Sequence, residues 1–191
     1  MSRSSLYRLS AVAALLSGGC IIVSKLLAFL PDPQAGEVFD FFSPLFGLFA
    51  FLGIYPWQRE QSGRFGGVAF IVAFVGLALV LCLDFFGAFI RLQLPEDTMA
   101  QLMNGSAGIV AALSGLVFLV GEILFAISVM RAGVFPRLAA WLFLIGFIPV
   151  PLVGMFPFGI VAAGSVLAGI GIAWWVLSLW KLAAKGAYPL A

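Results

Sequence analysis

Long apolar runs recur along the chain, and each is close to the length that crosses a lipid bilayer. A transmembrane helix needs about 20 apolar residues, because each residue advances the helix by about 1.5 Å across a core of about 30 Å. Six stretches meet this requirement and are joined by short connections: residues 9–30, 38–57, 66–92, 106–130, 138–156 and 158–182. The pattern therefore predicts an all-α polytopic bundle of six transmembrane helices, a single domain over residues 1–191.

The composition agrees with a chain whose outer surface faces lipid. Of its 191 residues, 63% are hydrophobic and 9% are charged, whereas a soluble domain has about 25% charged residues. The net charge of +2 is small, and no alternation of basic and aromatic residues suggests nucleic-acid binding. We therefore expect the lipid bilayer as a partner, with other membrane subunits or further copies of the chain beside it, and no nucleic acid.

Basic residues are concentrated on one side of the predicted spans. Cytoplasmic loops of membrane proteins carry an excess of lysine and arginine. Eight such residues lie on one side: Arg3, Arg8, Arg59, Arg64, Arg131, Arg137, Lys181 and Lys185. The other side has Arg91 together with five acidic residues, Asp32, Glu37, Asp40, Glu96 and Asp97. This asymmetry predicts an inner-membrane protein with both termini in the cytoplasm, and Tyr7, Trp57, Trp141 and Trp180 fall near the cytoplasmic interface.

The absence of histidine excludes several kinds of site. The chain has no histidine, so His-ligated haem, His-ligated metal and imidazole acid–base catalysis are ruled out. Cys20 and Cys82 lie within spans and form no Cys-x-x-Cys pair. We predict no metal site, no required cofactor and no catalytic residues, which argues against an enzyme. A bound lipid, quinone or pigment stays open, because 20 phenylalanines suit such contacts.

A faint repeat relates the two halves of the chain. Ser17 and Ser114, and likewise Lys25 and Glu122, are separated by the same 97 residues within similar short sequences. Three spans in each half would give a 3+3 inverted repeat, as in many transporters. Chance similarity between apolar helices is the competing interpretation, because the other spans match poorly at this offset.

Four ionisable residues lie in or beside the predicted bilayer core: Lys25, Asp84, Arg91 and Glu122. A charge at the centre of a transmembrane helix costs about 2.5–3.5 kcal/mol on insertion scales, so each is expected to have a partner or a wet cavity. Lys25 and Asp84 fall at similar depths in the outer part of the membrane. Arg91 is two helical turns beyond Asp84. We therefore predict an intramembrane polar cluster of Lys25, Asp84 and Arg91, in which Lys25 pairs with Asp84.

Glu122 is predicted to lie apart from this cluster, in the inner half of the membrane, without a basic residue at its depth. An unpaired buried carboxyl group favours its neutral form, in which it can donate a hydrogen bond or hold a proton or cation. Its candidate hydrogen-bond partners are Ser114, Ser128, Ser165 and Ser178. Three interpretations of these intramembrane charges stay open. They fix the packing and register of the helices, they form a transport pathway, or they contact a lipid headgroup or a partner subunit.

Small residues and prolines mark two further features. Ser165, Gly169 and Ala173 are four residues apart on the sixth span, which predicts close helix packing, with a ligand-access groove as the alternative. Pro149 and Pro151 predict a break in the fifth span. Such a break is an ordinary kink or, as in some transporters, an ion-binding broken helix.

The loop over residues 130–141, Met-Arg-Ala-Gly-Val-Phe-Pro-Arg-Leu-Ala-Ala-Trp, resembles one in bacterial multi-pass proteins of domain-of-unknown-function families. In those families an Arg-Ala-Gly-x-x-Pro-Arg loop precedes an apolar helix that begins with Trp. The resemblance covers about a dozen residues and the layout of six spans. It implies a bacterial origin and no particular activity.

Three functions are compatible with these observations. The leading hypothesis is a non-catalytic accessory or scaffold subunit of a membrane complex, because no chemistry-bearing motif is present. The alternative is a small transporter or channel that uses Asp84, Glu122 and Lys25. A lipid-modifying membrane enzyme with Asp84 or Glu122 as acid or base is the third hypothesis, and no second catalytic group is found at a matching depth.

Overall fold

Apolar helices follow one another along the chain in the computed structural model, which describes residues 3–30, 34–152 and 155–184. The α-helices are α1 (Arg3–Leu27), α2 (Gln34–Phe89), α3 (Glu96–Asn104), α4 (Ser106–Ala132), α5 (Arg137–Phe147) and α6 (Phe158–Ala184). Short 3-10 turns follow α2 and α5, at Arg91–Gln93 and Val150–Leu152. No strand occurs in these ranges, and the predicted all-α fold is confirmed. Asp32 and Lys185, used above for orientation, lie outside them.

Helix α2 consists of two arms that meet at Gly63. Its 56 residues would extend for about 80 Å if straight, more than twice the thickness of a bilayer core. Gly63 adopts φ 56° and ψ −148°, a conformation that is essentially restricted to glycine. The first arm (residues 34–62) and the second arm (64–89) therefore correspond to the second and third predicted spans.

The helix boundaries differ from the predicted spans at three places. The first arm begins at Gln34 and continues to the Gly63 break, so it is longer than the predicted 38–57. Helix α3 lies in a connection for which no helix was predicted, and none of its residues is buried. The fifth span is divided, because α5 ends at Phe147 and a 3-10 turn that contains Pro151 follows. A proline cannot donate the next helical hydrogen bond, which explains this ending.

The helices pack so that α1 lies against α2 and α6, α4 against α2, and α5 against α6 and α4. Glycines allow two of these contacts to be very close. A Cβ atom on Gly18 of α1 would lie 2.8 Å from the carbonyl oxygen of Gly169 on α6. A Cβ atom on Gly121 of α4 would lie 2.6 Å from Cα of Ala73 on the second arm of α2. Small residues at these crossings let the backbones approach, as is usual between membrane helices.

The outer surface of the bundle is apolar. Four helices are long and apolar enough to cross a membrane, at Leu6–Leu27, Gln34–Gln93, Ser106–Ala132 and Phe158–Lys181, and a shorter apolar stretch spans Arg137–Leu152. Large hydrophobic side chains such as Phe29, Ile71 and Ile109 are more than half exposed. A soluble monomer rarely exposes apolar surface on this scale, so these features indicate a membrane protein.

The aromatic residues predicted near the cytoplasmic interface fall into two pairs. Trp141 and Trp180 are about half exposed, as expected for side chains at a membrane surface. Tyr7 and Trp57 are instead buried, and their ring centroids lie 5.3 Å apart. The second pair therefore contributes to the core between α1 and the first arm of α2.

Candidate functional site

A cavity of about 250 Å³ lies at the centre of the bundle. Residues of α1, both arms of α2, α4, α5 and α6 line it, so every long helix contributes to its wall. This volume corresponds to about eight water molecules at the ~30 Å³ that each occupies in the liquid. The ionisable side chains that line it are those of Lys25, Asp40, Asp84 and Glu122.

The cavity extends along the bundle axis. On α1 it is lined by Ser17, Ile21 and Lys25, which follow one another at single-turn intervals and cover about 12 Å of helix. The end at Lys25 and Asp40 is partly exposed, with 16% and 29% of these side chains accessible. The end at Glu122 is deeply buried, since 1% of that residue is exposed. The exposed fraction of the lining residues therefore decreases from Lys25 and Asp40 to Glu122.

Lys25 forms an ion pair with Asp40. Its Nζ atom donates to Oδ2 of Asp40 at 2.8 Å and to Oδ1 at 2.9 Å. This corrects the predicted pairing of Lys25 with Asp84. Asp84 interacts electrostatically with both residues, but no ion pair of 4 Å or less joins it to a cation in the described part of the chain.

Arg91 lies outside the cavity and pairs with Glu37. Its Nη2 atom donates to Oε1 of Glu37, and 40% of the arginine side chain is exposed. The predicted cluster of Lys25, Asp84 and Arg91 is therefore divided. Lys25 and Asp84 line the cavity, whereas Arg91 connects the 3-10 turn after α2 to the first turn of α2.

Glu122 lines the same cavity as Asp84, a connection that was not predicted, although Glu122 lies at the more deeply buried end. The reason is that the cavity extends along several helical turns and connects different depths. Oε2 of Glu122 is buried and has no hydrogen-bond partner among the described residues. None of its four candidate serines supplies one. The hydroxyls of Ser114, Ser165 and Ser178 donate to backbone carbonyls on their own helices, and that of Ser128 is itself unpaired in the described part of the chain.

Aromatic rings form a continuous series around the buried end of the cavity. The ring of Phe118 contacts that of Phe147, which contacts Phe143, with centroid distances of 5.4 and 4.8 Å. The series continues through Trp175 and Phe125 to Phe51, with distances of 4.7, 6.3 and 4.4 Å. Phe51, Phe118, Phe143 and Phe147 line the cavity. We call these four side chains the phenyl wall.

The carboxyl groups of the cavity do not form a metal centre. Within residues 3–30, 34–152 and 155–184, no group of three or more histidine, cysteine, aspartate or glutamate side chains is close enough to hold a metal ion. Cys20 and Cys82 are free thiols, half-buried and exposed respectively. The site therefore consists of an ion pair, two further carboxyl groups and a phenyl wall.

The small residues on α6 face other helices of the same chain. Gly169 lies against Gly18, and Ser165 is fully buried and lines the cavity. Pro149 packs near Gly164 on α6, so the break after α5 lies against the helix that follows. Ala173 is half-buried.

No family model, no curated protein and no solved structure matches this chain. The resemblance of the 130–141 loop to multi-pass families therefore stays a prediction. In the structure this loop is a helix ending, in which Gly133 adopts φ 66° and its N–H donates to the carbonyl of Val129.

Sequence reasoning missed Asp40 and the phenyl wall. Asp40 was counted among the charges of the outer loop, although it lies within the second predicted span and only four residues before Pro44. The four phenylalanines come from three different segments, and 20 phenylalanines in the chain make any particular set inconspicuous. The sequence does contain a signal for the Lys25–Asp40 pair. Lys25 lies near the end of the first predicted span and Asp40 near the start of the second, so the two residues are at the same side of the membrane.

Proposed function

We propose that this protein is a small membrane transporter that moves a cation or proton through the central cavity. The observation that carries the proposal is that Asp84 and Glu122 line one intramembrane cavity without a cation of the described chain paired to either. An unpaired ionised carboxylate in such surroundings is strongly unfavourable. Each of the two groups therefore carries a proton or meets a cation that enters the cavity.

The ion pair of Lys25 and Asp40 supports this assignment. Because Lys25 is bound by both oxygens of Asp40, its charge is largely neutralised before it reaches the other carboxyl groups. The net charge of the side chains that line the cavity is then −2 when both Asp84 and Glu122 are ionised. Such a site attracts cations and rejects anions.

The topology that we propose has six crossings with both termini in the cytoplasm. Each arm of α2 counts as one crossing, and α5 with its 3-10 turn as another. With the basic loops inside, the partly exposed end of the cavity opens outward and Glu122 lies near the middle of the membrane. Many secondary transporters bind their substrates at that depth.

The inverted-repeat hypothesis gains support from the cavity wall. At the offset of 97 residues, Ile21 and Lys25 on α1 correspond to Phe118 and Glu122 on α4, and all four line the cavity. A site between two related halves is the arrangement that allows access to alternate between the two sides. We include the 3+3 repeat in the proposal for this reason.

The accessory-subunit hypothesis has less support. Small residues suit close contact between membrane helices, and Gly18, Gly121 and Gly169 make such contacts within the chain. A lipid-modifying enzyme would use Asp84 or Glu122 to activate a nucleophile, whereas the lining hydroxyls of Ser43 and Ser165 donate to backbone carbonyls and not to a carboxyl group. Co-purification of a stoichiometric partner from native membranes would favour the accessory subunit.

Proton movement in proteoliposomes tests the proposal. Purified protein is reconstituted with a pH-sensitive dye inside, and gradients of Na⁺, K⁺ or methylammonium are imposed with the membrane potential clamped. Because neutral methylamine crosses the bilayer unaided, protein-free liposomes give the background rate. We expect proton movement above this background with at least one of these cations, and a loss of at least tenfold in Glu122→Gln. Glu60→Gln is the matched control, because Glu60 is exposed at the end of the first arm, and it should retain full activity. Absence of proton movement with every cation, or an unaffected Glu122→Gln variant, contradicts the proposal.

A further inference from the structure

The surroundings of Glu122 indicate which kind of cation the cavity takes. A hard inorganic cation such as Mg²⁺ or Ca²⁺ needs about six or more oxygen ligands. The oxygen-bearing side chains of the lining are spread over several helical turns, and they are those of Ser17, Asp40, Ser43, Asp84, Glu122 and Ser165. Among the described residues no group of three or more carboxylate, thiol or imidazole side chains lies close enough together to hold a metal ion, so the lining offers no cluster of carboxylates to replace the hydration shell of such an ion.

Phenyl faces provide a different kind of cation site. Phe118 is one turn before Glu122 on α4 and therefore lies on the same face of the helix. Its ring contacts Phe147, which in turn contacts Phe143. Aromatic faces attract organic ammonium groups, by up to about 2 kcal/mol or more when the site is desolvated. Aromatic rings beside a carboxyl group therefore suit an organic ammonium ion.

We infer that the cavity binds an organic ammonium ion with an aromatic or aliphatic body, its ammonium group at Glu122 and its body against the phenyl wall. This inference rests on the proposed function and names the substrate class for the same site. The carboxyl group of Glu122, to which no cation of the described residues is paired, is the acceptor for the ammonium N–H. A volume of about 250 Å³ accommodates a ligand of about eight to ten non-hydrogen atoms, by comparison with water.

The charged groups that face the ligand come from four segments. They are Lys25 of α1, Asp40 and Asp84 of the two arms of α2, and Glu122 of α4. Among the described residues, α5 and α6 add no ionisable side chain to the lining. The ammonium ion passes Asp84 and reaches Glu122, and the proton that Glu122 loses as the ligand enters is released to the bulk solution. Binding is therefore expected to weaken as the pH falls, since protons compete for the same carboxyl groups.

Calorimetric titration of the purified full-length protein in detergent tests the inference with benzylammonium as the probe. Ethylbenzene, which has the same shape and no charge, is its neutral counterpart, and K⁺ and methylammonium are cations without a ring. We expect saturable binding of benzylammonium, at least tenfold weaker binding of the other three, and at least tenfold weaker binding of benzylammonium to Glu122→Gln. Phe147→Leu should weaken the binding of benzylammonium more than the binding of methylammonium. Glu60→Gln should bind benzylammonium with the affinity of the wild type.

Three results would overturn the inference: equal affinity for ethylbenzene, competition by K⁺ at equal concentration, or unchanged affinity in a folded Glu122→Gln variant. Elution as a single species during size-exclusion chromatography identifies the folded variants, and Glu122→Asp provides a second test if Glu122→Gln does not fold. The outcome is distinguishable from that of the transport assay. For this comparison a benzylammonium gradient is added to the transport assay. Benzylammonium binding without proton movement under any gradient supports the ligand class and contradicts transport, whereas proton movement driven by Na⁺ or K⁺ without benzylammonium binding supports transport and contradicts the ligand class.

Discussion

The ion pair of Lys25 and Asp40 leads to a quantitative prediction about the cavity. Its two N–O distances are 2.8 and 2.9 Å, and the side chains are 16% and 29% exposed. Removing one partner of a fully buried pair costs about 3–5 kcal/mol, whereas an exposed pair contributes about 0–1 kcal/mol. Because this pair is intermediate in burial, we expect a coupling free energy of about 2 kcal/mol between the two residues.

A double-mutant cycle measures this coupling. The free energy of unfolding is determined by SDS titration in mixed micelles for the wild type, Lys25→Met, Asp40→Asn and the double variant. We expect the double variant to be less destabilised than the sum of the two single variants by about 2 kcal/mol. The same cycle with Asp84→Asn in place of Asp40→Asn should give a coupling below about 1 kcal/mol, because no ion pair joins Lys25 to Asp84.

The two cycles together can refute this reasoning. Additive losses for Lys25 and Asp40 would mean that the pair does not form in the folded protein. A larger coupling between Lys25 and Asp84 would restore the pairing expected from the sequence and would neutralise one of the two carboxyl groups on which the proposed function depends. Arg91 and Glu37 supply a comparison, because their more exposed pair should couple by less than about 1 kcal/mol and should weaken as salt is added.

Three further predictions concern stability, measured by the same SDS titration. Gly121→Ala should destabilise by about 1–3 kcal/mol because its Cβ atom would overlap the backbone of α2, whereas Gly159→Ala, with nothing within 4 Å of the added carbon, should not. Gly63→Ala should cost about 1–3 kcal/mol, because the backbone conformation at the break is unfavourable for alanine, and an unaffected midpoint would mean that the two arms meet differently. Phe125→Ala should lower the free energy of unfolding by about 3–5 kcal/mol, since Phe125 is fully buried. Phe49→Ala, at an exposed position, should change it by less than about 0.5 kcal/mol. Equal losses in the two variants would contradict the assigned core.

The sequence predicted the helices well because their signal is local. Neighbouring residues alone determine where an apolar run lies, where a proline interrupts it and where a helix ends, as at Gly133. These features do not depend on what the helix packs against. The break at Gly63 agreed with the predicted loop between two spans. Helix α3 was missed because its nine residues are polar on average and carry no transmembrane signal.

The site was harder to predict because it depends on contacts between helices. Depth along a span can be estimated from sequence, which led to the pairing of Lys25 with Asp84. Rotation of each helix about its axis cannot be obtained from depth, and it is this rotation that brings Asp40 rather than Asp84 to Lys25. The cavity that connects Asp84 with Glu122 likewise arises from the packing of six segments, which no single segment determines.

The chemical accessibility of the cavity wall tests the central claim, that a cation enters the cavity in a folded protein. Val80→Cys places a thiol on the wall beside Asp84, and Val75→Cys on the same arm places one on the exposed outer face, both in a chain whose native cysteines are replaced by alanine. In proteoliposomes, a membrane-impermeant cationic thiol reagent should modify Val80→Cys at least tenfold faster than an anionic reagent of similar size and should leave Val75→Cys unmodified. The preference should disappear when Asp84→Asn and Glu122→Gln are added. An unreactive Val80→Cys, or equal rates with the two reagents, would contradict the account.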